Sequence, residues 1–306
     1  MIKKVLIFIV LAVFCVFADT EKVLEKNDSG NVSLADTAQH KFSRPLAGSL
    51  SLLLPGAGQF YTRQYFKGSI VMASEALTIG IALYWYDSYK TFGDKKKPLR
   101  LKADTSSGAA RLKLLNDAMM TEFDARRAKY RMINALAWSG GIYAYGFLNA
   151  IGKATIDDHS EKSSLKAGLL SAIPGLGLGQ WYNGSISKAG LIFMGQMSLG
   201  VAAANYHRLM TKAEREKKKL DDLDTLDNKM FIEMKNSGYL TRWENERQGA
   251  FKNRNAFLWY SIFYYMYGIF DAVVDAQLHD YPEKMKLYPD LVPSGQGVEL
   301  RLHYNF

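Results

Sequence analysis

The chain repeats itself, and the repeat limits the folds open to it. Pro55-Gly-Ala-Gly-Gln-Phe-Tyr61 returns as Pro174-Gly-Leu-Gly-Leu-Gly-Gln-Trp-Tyr182, so Gly58, Gln59 and Tyr61 match Gly179, Gln180 and Tyr182 at an offset of 121 residues. Ala47-Gly48 recurs as Ala167-Gly168, Lys67 as Lys188, Asn134-Ala135 and Trp138 as Asn255-Ala256 and Trp259, and Tyr145-Gly146 as Tyr267-Gly268. A near-constant offset across separated motifs reads as tandem duplication, with repeats over residues 42–157 and 162–280.

Each repeat has the same internal order: a short apolar piece, the glycine motif, an apolar stretch, a long charged stretch and a second apolar stretch. The four apolar stretches are Ser69–Tyr86, Ile133–Gly152, Ala189–Tyr206 and Ala256–Ala276. Eighteen residues make roughly 27 Å of helix, close to the hydrocarbon thickness of a bilayer. The expected fold is therefore all-α: a helical integral membrane protein of two tandem repeats, each with two spanning helices. The leading pieces Pro45–Leu54 and Leu165–Ile173 are too short to span and end at Pro-Gly or just before it, so each is expected to lie at the interface or re-enter. The charged stretches are expected to form helical hairpin loops, since Leu112, Leu115, Met119 and Phe123 fall three and four apart, as do Leu220, Leu223, Leu226 and Met230.

Charge gives the orientation. Of the 39 Lys and Arg residues, 12 lie in Asp87–Arg131 and 12 in Asn205–Arg254. Basic loops stay on the cytoplasmic side. Met1–Ala18, with Lys3-Lys4, an apolar run and a small residue before Asp19, reads as a signal peptide; an uncleaved anchor helix is the alternative. Residues 19–41 would then be a flexible exported N-terminus, with both mature termini outside and the long loops cytoplasmic. The expected location is the cell membrane, in a bacterium the inner membrane, with the outer membrane left open.

Three carboxylates interrupt the apolar stretches: Glu75, Asp271 and Asp275. Ionisable groups at such depth are candidates for function. Asp271 and Asp275 are four apart and share a helix face. In the other repeat Glu75 aligns with Gln196, Asp271 with Asn149 and Asp275 with Lys153, so polarity is kept and charge is not. Lys153 completes the candidate polar site as a partner for an aspartate. The repeated Gly58, Gln59, Tyr61 and Gly179, Gln180, Tyr182 read either as a ligand or lipid site or as a repeated helix-turn cap.

Other chemistry finds no signature. The five histidines are scattered, the only cysteine is Cys15, and no phosphate loop, dinucleotide fingerprint or hydrolase elbow occurs. No enzyme, cofactor, metal or nucleic-acid role is expected. The last residues, Gly297–Phe306, alternate as a strand does, and residues 281–306 form a tail that offers this strand to a partner. The expected partners are the lipid bilayer and another envelope protein, met through that strand or the charged loops. The function expected is a structural or interaction role in the envelope; the alternative is a transporter or channel-like protein using the intramembrane carboxylates.

The glycine motif followed by Lys67-Gly68, and Arg254-Asn255 leading to Asp271-Ala-Val-Val-Asp275-Ala-Gln-Leu278, resemble an uncharacterised bacterial membrane family, domain of unknown function five-six-eight-three. The resemblance covers most of the chain after about residue 42 and is better in the second repeat, because Asn149 and Lys153 replace the aspartates in the first. It implies a membrane location and this motif order, and it carries no activity.

Overall fold

The structure, a computed structural model, describes residues 42–152, 162–222, 232, 238–278, 288–294 and 297–303. The expected signal peptide, the exported segment and Lys153 lie outside these. The described helices are α1 (Arg44–Leu53), α2 (Ala57–Tyr61), α3 (Tyr65–Asp104), α4 (Gly108–Gly152), α5 (Ser164–Ser171), α6 (Leu178–Tyr182), α7 (Ile186–Asp222) and α8 (Tyr239–Leu278). Two strands follow, β1 (Tyr288–Ser294) and β2 (Gly297–His303), paired antiparallel with Tyr288 opposite His303 and Ser294 opposite Gly297. Thus Gly297–His303 finds a partner within the chain. The alternation at the C-terminus gave no sign of β1, whose Pro289 and Pro293 supply no ladder donor.

The long helices pack in a row, α3 on α4, α4 on α7, and α7 on α8, while α1 lies along α4 and α5 along α8. Span and charged extension are not separate elements. The 40 residues of α3 are one helix, about 60 Å long at 1.5 Å per residue. It turns at Thr105–Ser107 into α4, where Gly108 takes φ +56°.

By length and composition three described helices can cross a membrane: Tyr65–Asp104, Ile186–Lys219 and Tyr239–Leu278. The expected fourth span, Ile133–Gly152 in α4, is not among them. Asn134, Ser139, Asn149, four glycines and two tyrosines dilute its apolar content. It is also flanked by α3 and α7, whereas the apolar part of α8 turns Trp259, Ile262, Phe263 and Phe270 outward. The halves meet where α4 and α7 touch. A methyl group at Gly141 would lie 3.1 Å from Met194 Cα, and one at Gly190 would lie 3.3 Å from Tyr145 Cα. Small residues permit this backbone approach. Asn205 Nδ2 donates to Asn134 Oδ1 at 2.7 Å across the same seam.

The charged extensions share a core, which their separate helical periodicities did not announce. Met120, Phe123, Leu209, Ala213 and Trp243 are buried together, and the Phe123 and Trp243 rings meet edge to face at 5.4 Å. Trp243 Nε1 donates to Asn116 Oδ1 at 3.3 Å, and Arg127 pairs with Glu246 at 2.7 Å. The described parts of the two charged stretches therefore pack against each other as one bundle.

Candidate functional site

The motif's glutamine, glycine and tyrosine make the same contacts in both halves, although the turns that lead into them differ. Leu54 is extended, as a residue before proline prefers, which ends α1; Gly56 then turns the chain at φ +90° into α2. Gln59 is fully buried, and its Nε2 donates to the carbonyl oxygen of Gly146 on α4 and to Asn149 Oδ1 at 3.4 Å. In the second half Gln180, equally buried, donates to the Gly268 carbonyl at 2.6 Å and to Asp271 Oδ2 at 3.3 Å. Gly58 and Gly179 sit at the closest approach. A methyl group would lie 2.3 Å from Ala47 O and 2.7 Å from Ala150 Cβ at the first, and 2.4 Å from Ala167 O and 2.8 Å from Ala272 Cβ at the second. The Tyr61 hydroxyl accepts from the Ser43 N–H at 3.3 Å, and Tyr182 from the Ser163 N–H at 3.2 Å, so each tyrosine closes the mouth of its short hairpin.

The hairpins reach back along their long helices. Gly48 lies against Phe147 and Ile151, and the Leu52 carbonyl takes the Tyr143 hydroxyl. The equivalent contact is Tyr265 OH to Ala172 O at 2.7 Å.

Asp271 and Asp275 converge as their spacing predicts, on Lys188 at the start of α7. Lys188 Nζ is 3.3 Å from Asp271 Oδ1 and 2.5 Å from Asp275 Oδ1, and Ser185 Oγ donates to Asp275 Oδ2 at 3.2 Å. Among the described residues their partner is Lys188; the expected Lys153 lies outside these. The recurrence of Lys67 as Lys188 was the available signal. In the first half Asn149 stands where Asp271 does and donates to Ser187 Oγ at 2.9 Å, tying that half to α7.

Glu75 does not join the aspartates. It is buried between α3 and α4 and accepts the hydroxyl hydrogen of Ser139. The corresponding pair joins α7 to α8: Gln196 Nε2 donates to Ser261 O at 3.0 Å, and Ser261 Oγ donates to Gln196 Oε1 at 3.3 Å. A carboxyl in one half and an amide in the other thus bridge the same helix pair. Among the described residues no three His, Cys, Asp or Glu side chains converge as a metal site requires.

In the extensions Glu122 gathers Lys96 at 2.6 Å, Arg126 at 3.0 Å and Arg100 at 3.2 Å. The hydrogen bond from Lys96 leads the effects that hold its carboxyl at about 2, against an ordinary 4.5.

One family matches the chain, described as "Family of unknown function (DUF5683)", over residues 40–165 and again over residues 160–300. No curated protein and no solved structure matches.

Proposed function

The chain belongs to this family of unknown function, and from that premise we propose that it is a multi-pass membrane protein of the bacterial cell envelope with a structural or interaction role. The observation that carries the reading is the equivalence of Glu75–Ser139 and Gln196–Ser261. Where an amide serves in one half as a carboxyl does in the other, the position calls for a polar bridge between helices and not for a titrating group. The Gln59 and Gln180 amide nitrogens and the Lys188 ion pairs fit the same role, since each bonds to a neighbouring helix.

In this reading the two halves are tandem repeats of one orientation. Each has two crossings and a re-entrant hairpin, α1–α2 and α5–α6. From Gly152 back to Tyr143 is about 14 Å of helix, half the depth of a bilayer core, and the exposed Leu52–Leu54 tip would sit there in lipid. α4 serves as the fourth crossing although it is less apolar, because its neighbours shield its polar groups from lipid. The basic extensions face the cytoplasm, and their bundle and the open edges of the β1–β2 ribbon are the contact surfaces for an envelope partner. The role is not catalytic.

The test combines extraction with labelling. The chain should remain in the membrane pellet after alkaline carbonate. A Cys15→Ala, Ser107→Cys variant, with its thiol at the exposed turn between α3 and α4, should resist a membrane-impermeant thiol reagent in outer-permeabilised cells and react after lysis. Release by carbonate would overturn the membrane reading, and labelling before lysis would overturn the orientation.

A further inference from the structure

Just past the apolar stretches, α4 and α7 part to leave a cavity of about 350 Å³. Arg126 and Tyr130 line it from α4, and His207, Arg208, Lys212 and Arg215 from α7. Arg126 and Tyr130 are four apart, and Arg208, Lys212 and Arg215 follow at four and three, so each helix turns one face to the space. No carboxylate is in the wall. The carboxylates ion-paired with wall residues are Glu122, which holds Arg126 but is shared with Lys96 and Arg100, and Glu216, which holds Lys212 but is shared with Lys219. Among the described residues Arg208 and Arg215 meet neutral groups alone: Asn205 Oδ1 at 3.4 Å and the Thr211 carbonyl at 3.3 Å.

The guanidinium groups of Arg208 and Arg215, facing one space without a carboxylate on either among the described residues, repel one another until an anion enters. Guanidinium forks match the paired oxygens of a phosphate, and a phenol adds a further donor. The level in the fold agrees. His207 directly follows the apolar Ala189–Tyr206 stretch, Tyr130 precedes Ile133–Gly152, and nearby Arg131 stacks on Trp85 at 4.4 Å, at the end of the apolar part of α3. That is where headgroups begin.

We propose that the cavity between α4 and α7 binds a phosphate-bearing anion, gripped by Arg208 and Arg215 with Lys212 and Tyr130 in support. Its placement at headgroup level rests on the membrane reading above; the arrangement of cations does not.

The test uses the full chain in a neutral detergent and follows its unfolding temperature with dihexanoyl phosphatidylglycerol, dihexanoyl phosphatidylcholine or inorganic pyrophosphate. Phosphatidylglycerol should raise the temperature by mass action, and the zwitterionic lipid should not. Competition by pyrophosphate would support a site that takes phosphate from either source; a shift with pyrophosphate alone would support a soluble one. Arg208→Gln with Arg215→Gln should weaken the half-saturation concentration by about tenfold or more, through loss of two charge-assisted forks. Lys95→Gln with Lys97→Gln removes the same charge elsewhere and should leave it within about twofold. If the glutamine pair does not fold by circular dichroism, Arg208→Lys with Arg215→Lys keeps the charge, removes the forks and should still weaken binding. No shift with either anion, or equal losses in the Arg208/Arg215 and Lys95/Lys97 variants, would overturn the proposal. Release by carbonate together with an intact pyrophosphate response would sink the membrane reading and leave this site standing.

Discussion

The side-chain amide of Gln180 donates to the backbone carbonyl of Gly268 at 2.6 Å, from a five-residue helix to a forty-residue one. Gln59 makes the same bond to Gly146. Each glutamine pins a short hairpin to the last helix of its half, and Gly179 or Gly58 beside it lets the backbones come close enough for the bond to form.

Replacing Gln180 with Leu removes that bond and its link to Asp271 while keeping comparable bulk. The expected cost is about 1 to 2 kcal/mol, since hydrogen bonds between helices in membranes are modest. Gln59→Leu should cost a similar amount. The two sites lie in different halves and share no partner, so the double variant should be additive to within about 0.5 kcal/mol. Unfolding temperatures of the three variants in one detergent check this; strong non-additivity would mean that the halves do not pack as independent hairpin–helix units.

Gly179→Ala should be worse than either glutamine change. The new methyl group would meet a backbone carbonyl, Ala167 O, at 2.4 Å, and that atom cannot rotate away as the Ser171 hydroxyl can. Overpacking of this kind costs about 1 to 3 kcal/mol or more. Gly200→Ala in α7 is the control: nothing lies within 4 Å of the added carbon, and alanine favours helix over glycine by up to about 1 kcal/mol. Equal unfolding temperatures for the two variants would refute the close approach of α5 and α6.

The motif pairs were readable because a duplicated glycine and glutamine in apolar surroundings have few roles, and the spacing of Asp271 and Asp275 put both on one face. Other relationships needed the third dimension. Lys188 lies 83 residues before Asp271, and a lysine just ahead of an apolar stretch looks the same whether it meets water or a carboxylate. Trp243 sits among charged residues, and its partners Asn116 and Phe123 come from the other half, 127 and 120 positions away. Periodicity reports one helix at a time, so Leu112, Leu115, Met119 and Phe123 marked one helical face and not the core it joins, while Leu223, Leu226 and Met230 lie outside the described residues. Nor did it reveal that α4, read in sequence as a span like the other three, lies between α3 and α7, because the helices that flank it are not visible in sequence.

Glu75→Gln should leave stability within about 0.5 kcal/mol, because Gln196 bridges the same helix pair in the other half with an amide. Glu75→Ala, which strands the Ser139 hydroxyl and opens a gap, should cost about 1 to 3 kcal/mol. A glutamine variant as unstable as the alanine one would mean that the carboxyl itself is required, and would revive a functional role for Glu75.

Trp243→Ala tests the shared core of the extensions. The ring is fully buried against Phe123, and removal of so large a side chain costs about 3 to 5 kcal/mol. Trp243→Phe keeps the edge-to-face contact and should lose far less. Thermal unfolding should rank them wild type, Phe, Ala. If the alanine variant melts as the wild type does, α4, α7 and α8 do not share this core.

Glu122 should make that bundle sensitive to acid. Its folded carboxyl titrates at about 2, against an ordinary 4.5, chiefly through the hydrogen bond from Lys96 and then through Arg126. A group with a depressed folded value contributes stability that is complete above its unfolded value. That contribution falls away as the pH drops from about 4.5 toward 2, where the folded state must also take up the proton. Wild type and Glu122→Gln should therefore differ most in unfolding midpoint near neutral pH. The gap should narrow steadily through that acid window, and the variant should show the shallower dependence on pH. Other carboxylates titrate in the same range, so the difference between the two proteins is the quantity to follow. A gap that stays constant from neutral pH down to about 2 would mean that the Lys96, Arg100 and Arg126 contacts do not hold the charged form.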